Sequence, residues 1–105
     1  MNSISVVRFS GELDVARKQE LKDALHLDPQ ERAVLLDLGS VTYADSTALA
    51  EILRFSIEVE RRGARLAVFI ANPQFHMLIR YAGCDQAFKI FHNRGDALTY
   101  LGESP

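Results

Sequence analysis

The chain has 105 residues, the size of one ordinary domain, with 48% hydrophobic and 25% charged residues, the balance of a soluble globular protein. That composition excludes disordered, collagen-like and coiled-coil classes. Twelve basic against fourteen acidic residues give a formal charge of −2, which supplies no basic stripe for phosphate backbones and predicts no direct nucleic-acid binding.

Four short apolar runs stand out in chain order, at residues 4–9, 33–38, 66–71 and 87–91. The second and third are nearly unbroken runs of Val, Leu and Ile, which predicts strands buried on both faces. Helical periodicity fills the gaps between them. The first helix is expected over residues 15–26, capped by Asp14, with Leu21, Ala24 and Leu25 on one face and Pro29 past its end. The second starts near Thr47 and stops before Gly63, with Glu51, Arg54, Glu58, Arg61 and Arg62 on its outer face. The third opens with Asn72 as cap and Pro73 at the first helical position, and Gly83 ends it. A short fourth helix is expected over residues 96–101, and the tail 102–105 is expected to fray. Strands alternating with helices predict an α/β fold: one domain over residues 1–105, with about four strands in a mostly parallel or mixed sheet and about four flanking helices.

The single cysteine, Cys84, has no partner for an internal disulfide, which fits a reducing compartment. The start Met1-Asn2-Ser3 does not read as a signal peptide, and apolar runs of five or six residues fall far short of the about 20 needed to span a bilayer. A cytoplasmic location without membrane insertion is expected.

In an open α/β sheet, sites form where strands end and helices begin. Two such places carry small polar residues: Gly11-Glu12-Leu13-Asp14 after the first strand, and Tyr43-Ala44-Asp45-Ser46-Thr47 at the start of the second helix. Ser46 has two readings. As an N-cap it satisfies an orphan backbone N–H. As a phosphorylation site it would place a dianion at the positive end of a helix. Nucleophilic catalysis lacks a Gly-x-Ser-x-Gly elbow, and His26, His76 and His92 are scattered along the chain. Asp14, Asp37 and Asp45 are better explained as caps and strand ends than as a magnesium-binding cluster, because no acidic pair follows the first strand. Cys84 lacks a Cys-x-x-Cys partner, and no glycine-rich phosphate loop is present, so no cofactor and no metal are expected. The chain is expected to bind rather than to catalyse.

The run Val34-Leu35-Leu36-Asp37-Leu38, followed by Tyr43 and then Asp45-Ser46-Thr47-Ala48-Leu49, resembles the signature segment of STAS domains, the anti-sigma factor antagonists and their relatives. Phe9-Ser10-Gly11-Glu12-Leu13-Asp14 resembles the family's Gly-Glu-Leu-Asp, while Arg62-Gly63-Ala64-Arg65-Leu66-Ala67-Val68 and Tyr81-Ala82-Gly83-Cys84-Asp85 resemble its later patterns. The resemblance implies a protein that binds an anti-sigma factor serine kinase and so releases a sigma factor. That kinase would phosphorylate Ser46, with Thr47 the fallback acceptor, and abolish binding; a phosphatase would restore it. The implied partner surface comprises Gly11, Glu12, Asp14, Asp45, Ser46, Thr47, Ala48 and Leu49, with Glu51 and Arg54 as exposed residues of the second helix. The alternative is a STAS-type accessory or scaffold subunit of a transporter or stress-signalling complex without a phosphorylation switch. A monomer or weak dimer is expected. Two departures are visible. Ala48 stands where the family has Gly, and its methyl would narrow the approach of a kinase or partner backbone. Only Met1 to Ser3 precede the first apolar run, so the extra edge strand of many members is expected to be short or differently replaced.

Overall fold

The computed structural model describes residues 3–102, and its elements follow the expected alternation. They are β1 (Ser5–Leu13), a 3-10 turn (Val15–Arg17), α1 (Lys18–Ala24), β2 (Ala33–Ala44), α2 (Ser46–Arg61), β3 (Arg65–Phe69), α3 (Pro73–Tyr81), a second 3-10 turn (Cys84–Gln86), β4 (Lys89–Phe91) and α4 (Arg94–Tyr100). The sheet runs in the order β1-β2-β3-β4, and its three pairings are all parallel rather than mixed. Residues 103–105 of the tail expected to fray lie outside the described residues.

The unbroken apolar run of β2 follows from helical cover on both faces. Val34, Leu36 and Leu38 point into the larger core with Leu21 of α1, Ile52 and Phe55 of α2, and Phe75 and Ile79 of α3. Ala33 and Leu35 point the other way, to a thinner core with Ala67 of β3 and Ala97 and Leu101 at α4. Asp37 shares that second face yet is only 5% exposed. It is no strand end. Its Oδ2 accepts from Arg94 Nε at 3.4 Å and its Oδ1 from the Gly39 N–H at 3.0 Å, so a buried carboxylate ties the start of α4 to mid-strand.

The ends of several elements differ from the sequence expectation. β1 and β2 run on to Leu13 and Ala44, because their C-terminal halves pair with each other, with Leu13 opposite Ala44. The pairing shifts register twice, each time with one extra residue in β2, and Gly11 opposite sits at φ +75°. The first helix is shorter than expected. A 3-10 turn capped by Asp14 occupies its first residues, and seven residues of α-helix follow. β4 has three residues, and α4 begins at Arg94 because Asn93 accepts from the Asp96 N–H and caps it.

α2 is the long helix, and its limits have local causes. Asp45 caps its start, and Gly63 at φ +69° stops it. The Ala64 N–H reaches Val59 O and the Gly63 N–H reaches Glu60 O, both at 3.0 Å, closing a Schellman turn. At the sheet edge, Arg17 donates to the carbonyls of Ser10 (2.7 Å) and Glu12 (3.0 Å), grips Glu20 with two hydrogen bonds and lies over the Phe9 ring. One guanidinium thus occupies two carbonyls of an edge strand that would otherwise be open to pairing.

Candidate functional site

Parallel pairing of β1 with β2 brings both polar strand ends to the same rim of the sheet. Asp45 joins them. Its N–H donates to Leu13 O at 3.1 Å, its Oδ1 accepts from the Ala48 N–H at 3.1 Å, and its Oδ2 accepts from the Val15 N–H at 3.2 Å. Asp14 turns its own carboxylate to the Ala16 N–H at 3.0 Å. Asp14, Asp37 and Asp45 therefore have separate structural tasks, and among the described residues no group of three or more His, Cys, Asp or Glu gathers as a metal centre.

Ser46 is not the cap. Asp45 holds that position and Ser46 is the first residue of α2, with its side chain exposed. Its hydroxyl is free of capping duty. Thr47 is half-buried, Gly11 and Asp14 are half-buried, and Glu12 is exposed. The other residues expected on the partner surface lie elsewhere. Ala48 is 0% exposed and Leu49 5%, both facing the core. The Ala48 methyl therefore does not stand in the path of an approaching partner. Glu51, expected to be exposed, is buried: it accepts from Arg54 Nε at 3.0 Å and sits 3.8 Å from Lys22 of α1. Arg54 is exposed, but its guanidinium donates to Leu25 O at 2.9 Å. These two side chains fasten α2 to the end of α1.

Ser46 opens instead onto a groove of about 480 Å³ whose walls are the end of β2 and the start of α3, with Thr42, Tyr43, Asn72, Gln74, Phe75 and Leu78 among its lining residues. Asn72 builds the far wall. Its Oδ1 accepts from the N–H groups of Gln74 and Phe75 to cap α3, while its Nδ2 donates to Thr42 O at 3.2 Å. The site's apolar flank is Tyr43, 54% exposed, and Val15, 65% exposed. Phe55 and Phe75, by contrast, are core residues. Sequence reading missed Val15 and the α3 wall. Val15 carries a signal, an apolar residue directly after the Asp14 cap; the wall needs the strand order to be seen. The residues lining the groove include no Lys or Arg, and its ionisable groups are Asp45 and Tyr43.

Among the described residues, no helix is long and apolar enough to cross a membrane. The model of the STAS domain family matches residues 1–97. The anti-sigma F factor antagonist of Paenibacillus polymyxa is 30% identical over 101 residues, covering 93% of this chain and 86% of that protein. Among solved structures, an anti-sigma factor antagonist from Mycobacterium paratuberculosis superposes with a TM-score of 0.82 at 24% identity, covering 96% of this chain and 87% of that one. A sulfate transporter family protein from Wolinella succinogenes superposes with a TM-score of 0.82 at 19% identity, covering 93% and 84%. At these identities the structural likenesses speak for the fold.

Proposed function

The chain belongs to the STAS domain family and is related to the anti-sigma factor antagonists; from that premise we propose that it is a cytoplasmic regulator that binds an anti-sigma factor with serine kinase activity, releases a sigma factor, and is switched off when Ser46 is phosphorylated. A phosphatase acting on phospho-Ser46 resets it. It acts by binding, not by catalysis.

The observation that carries this reading is Ser46 itself: an exposed hydroxyl at the first position of α2, relieved of capping by Asp45 and open to a groove with an apolar rim. Phosphorylation would add about −1.5 to −2 charges there. No Lys or Arg lines the groove to receive them, and two acidic residues, Glu12 near the end of β1 and Asp14 just after it, lie on the neighbouring segment. A partner seated on the bare hydroxyl would meet a bulky dianion in its place. The contact surface of this proposal is Gly11, Glu12, Asp14, Ser46 and Thr47, joined by Val15 and Tyr43. Asp45, Ala48 and Leu49 support it from beneath, and Arg54 lies further along α2. The alternative role as a transporter or stress-complex accessory subunit shares the fold, and Ala48 gives no reason to prefer it, because a methyl that is buried does not obstruct a kinase or partner.

The test is calorimetric titration with a serine-kinase anti-sigma factor from the same organism. Ser46→Asp is expected to weaken binding by more than about tenfold, equivalent to about 1.4 kcal/mol. Ser46→Ala is expected to bind but to take up no phosphate from ATP, whereas Thr47→Ala still does. Undiminished binding by Ser46→Asp sinks the switch.

A further inference from the structure

We propose that His76 and His92 form a two-imidazole site for a divalent transition-metal ion of the zinc, nickel or copper class. The two residues come from different elements, His76 from α3 and His92 from the segment between β4 and α4, and their ring centroids lie 4.6 Å apart with the planes tilted by 52°. Two imidazoles bound to one ion at about 2.0–2.1 Å, with an angle of about 90–109° between them, have centroids about 4.5–5.2 Å apart. The observed spacing falls in that interval, and the tilt is not that of flat stacking.

The tautomer also fits. His92 Nδ1 lies 3.1 Å from Ile70 O, and a carbonyl only accepts, so Nδ1 carries the hydrogen. Nε2 of the neutral ring then keeps its lone pair, the arrangement in which a ligating histidine is oriented through its other nitrogen. His76 is held below its ordinary pKa of 6.5, first by burial, then by His92 and Arg80, against a smaller opposing pull from Asp85. Asp85 favours a cation at this place and Arg80 opposes it. With two protein ligands, water completes the coordination, which makes the site a modest and exchangeable one. A bound ion would tie α3, a wall of the Ser46 groove, to the start of α4. The site does not depend on how Ser46 is used.

The test is calorimetric titration of the tag-free full chain with zinc chloride near neutral pH, repeated with His76→Gln, His92→Gln and, as a control, His26→Gln. Wild type is expected to take up a single equivalent. Each variant of the pair is expected to bind at least about tenfold more weakly, while His26→Gln is unchanged. At a tenfold excess of zinc over Kd, the wild-type melting temperature should rise by about 5 °C or more, and neither variant of the pair should show the rise. Absence of binding by wild type, or full binding by either variant, overturns the site. A second readout does not need the variants to fold. Substoichiometric copper should broaden the ring resonances of His76 and His92 before those of His26, and equal broadening of all three also overturns it.

Discussion

The Asp45 carboxylate spans two segments of chain, accepting the Ala48 N–H within its own helix and the Val15 N–H across from β1. One side chain thus starts α2 and anchors the loop beside it, which leaves the next residue, Ser46, without a structural task. Asp45→Ala removes both bonds. A lost N-cap costs about 0.5–2 kcal/mol, and the Val15 N–H can turn to water, so a loss of about 1–2 kcal/mol is expected. Asp45→Asn keeps a capping oxygen and should lose less. Urea denaturation of the three proteins measures the order, and an unchanged midpoint for Asp45→Ala contradicts the double role.

Much of this architecture is legible in the residues. The Val34 to Leu38 run reads as a strand covered on both faces, Asn72-Pro73 as a helix start and Gly63 as a helix stop, because caps and periodicity are local signals. The strand ends are not local. Gly39-Ser40 reads as a turn, yet β2 continues through it because β1 lies alongside and supplies the pairing. Glu51 reads as exposed because it shares the charge spacing of the outer face. It is buried because α1 packs there, with Lys22 and Arg54 beside its carboxylate. Ser46 is legible as a site, but its neighbours across the groove are not. Asn72 to Leu78 reach it only through the order β1-β2-β3, which no stretch of sequence encodes by itself.

Ala48 offers a direct check on where the family's glycine matters. Its side chain is fully buried under the first turn of α2. Ala48→Gly gives up helix propensity worth about 1 kcal/mol and the burial of one methyl worth about 0.8 kcal/mol. A net destabilisation of about 1–2 kcal/mol is expected, with affinity for the anti-sigma factor unchanged. A marked gain in affinity by the glycine variant would show that the methyl does obstruct the partner.

The Arg94–Asp37 pair tests how α4 is held. Asp37 is buried, while Arg94 is half in solvent, and the Gly39 N–H remains as a second partner when Arg94 is removed. Arg94→Ala should therefore cost about 1–3 kcal/mol, below the range for breaking a wholly buried pair. Asp37→Ala strands no buried charge but frees the Gly39 N–H, and the double variant should be less destabilised than the sum of the singles. Hydrogen exchange should report the loss first in α4. Strictly additive effects would mean that the two side chains do not interact.

Glu20 gives a pH dependence with a definite sign. Its two hydrogen bonds from Arg17 lower its pKa below the ordinary 4.5. A carboxylate with a lowered folded-state pKa contributes stability in full above its unfolded value, and loses it as pH falls through the folded value. The gap in stability between wild type and Glu20→Gln should thus be present at neutral pH and close below about pH 4. Because the same guanidinium covers Ser10 O and Glu12 O, Glu20→Gln should also speed amide exchange along β1. A gap that persists in acid would assign the effect to something other than this ion pair.

Tyr43 lines the Ser46 groove, and Val15 stands beside it, its N–H bonded to the Asp45 carboxylate. Tyr43 and Val15 are both more than half exposed, so neither contributes much to the core, and truncating either should change folding stability by no more than about 0.5 kcal/mol. Exposed tyrosines at the centre of an interface are frequent anchors, because they bring a large area with few rotamers to freeze. On the proposed function, Tyr43→Ala should weaken binding to the anti-sigma factor by about tenfold or more and Val15→Ala by less, without altering the thermal melt. Tyr81, 81% exposed on α3 but absent from the groove lining, is the control, and Tyr81→Ala should bind as wild type does. If Tyr81→Ala is weakened and Tyr43→Ala is not, the partner sits on the outer face of α3, and the groove beside Ser46 is not its seat.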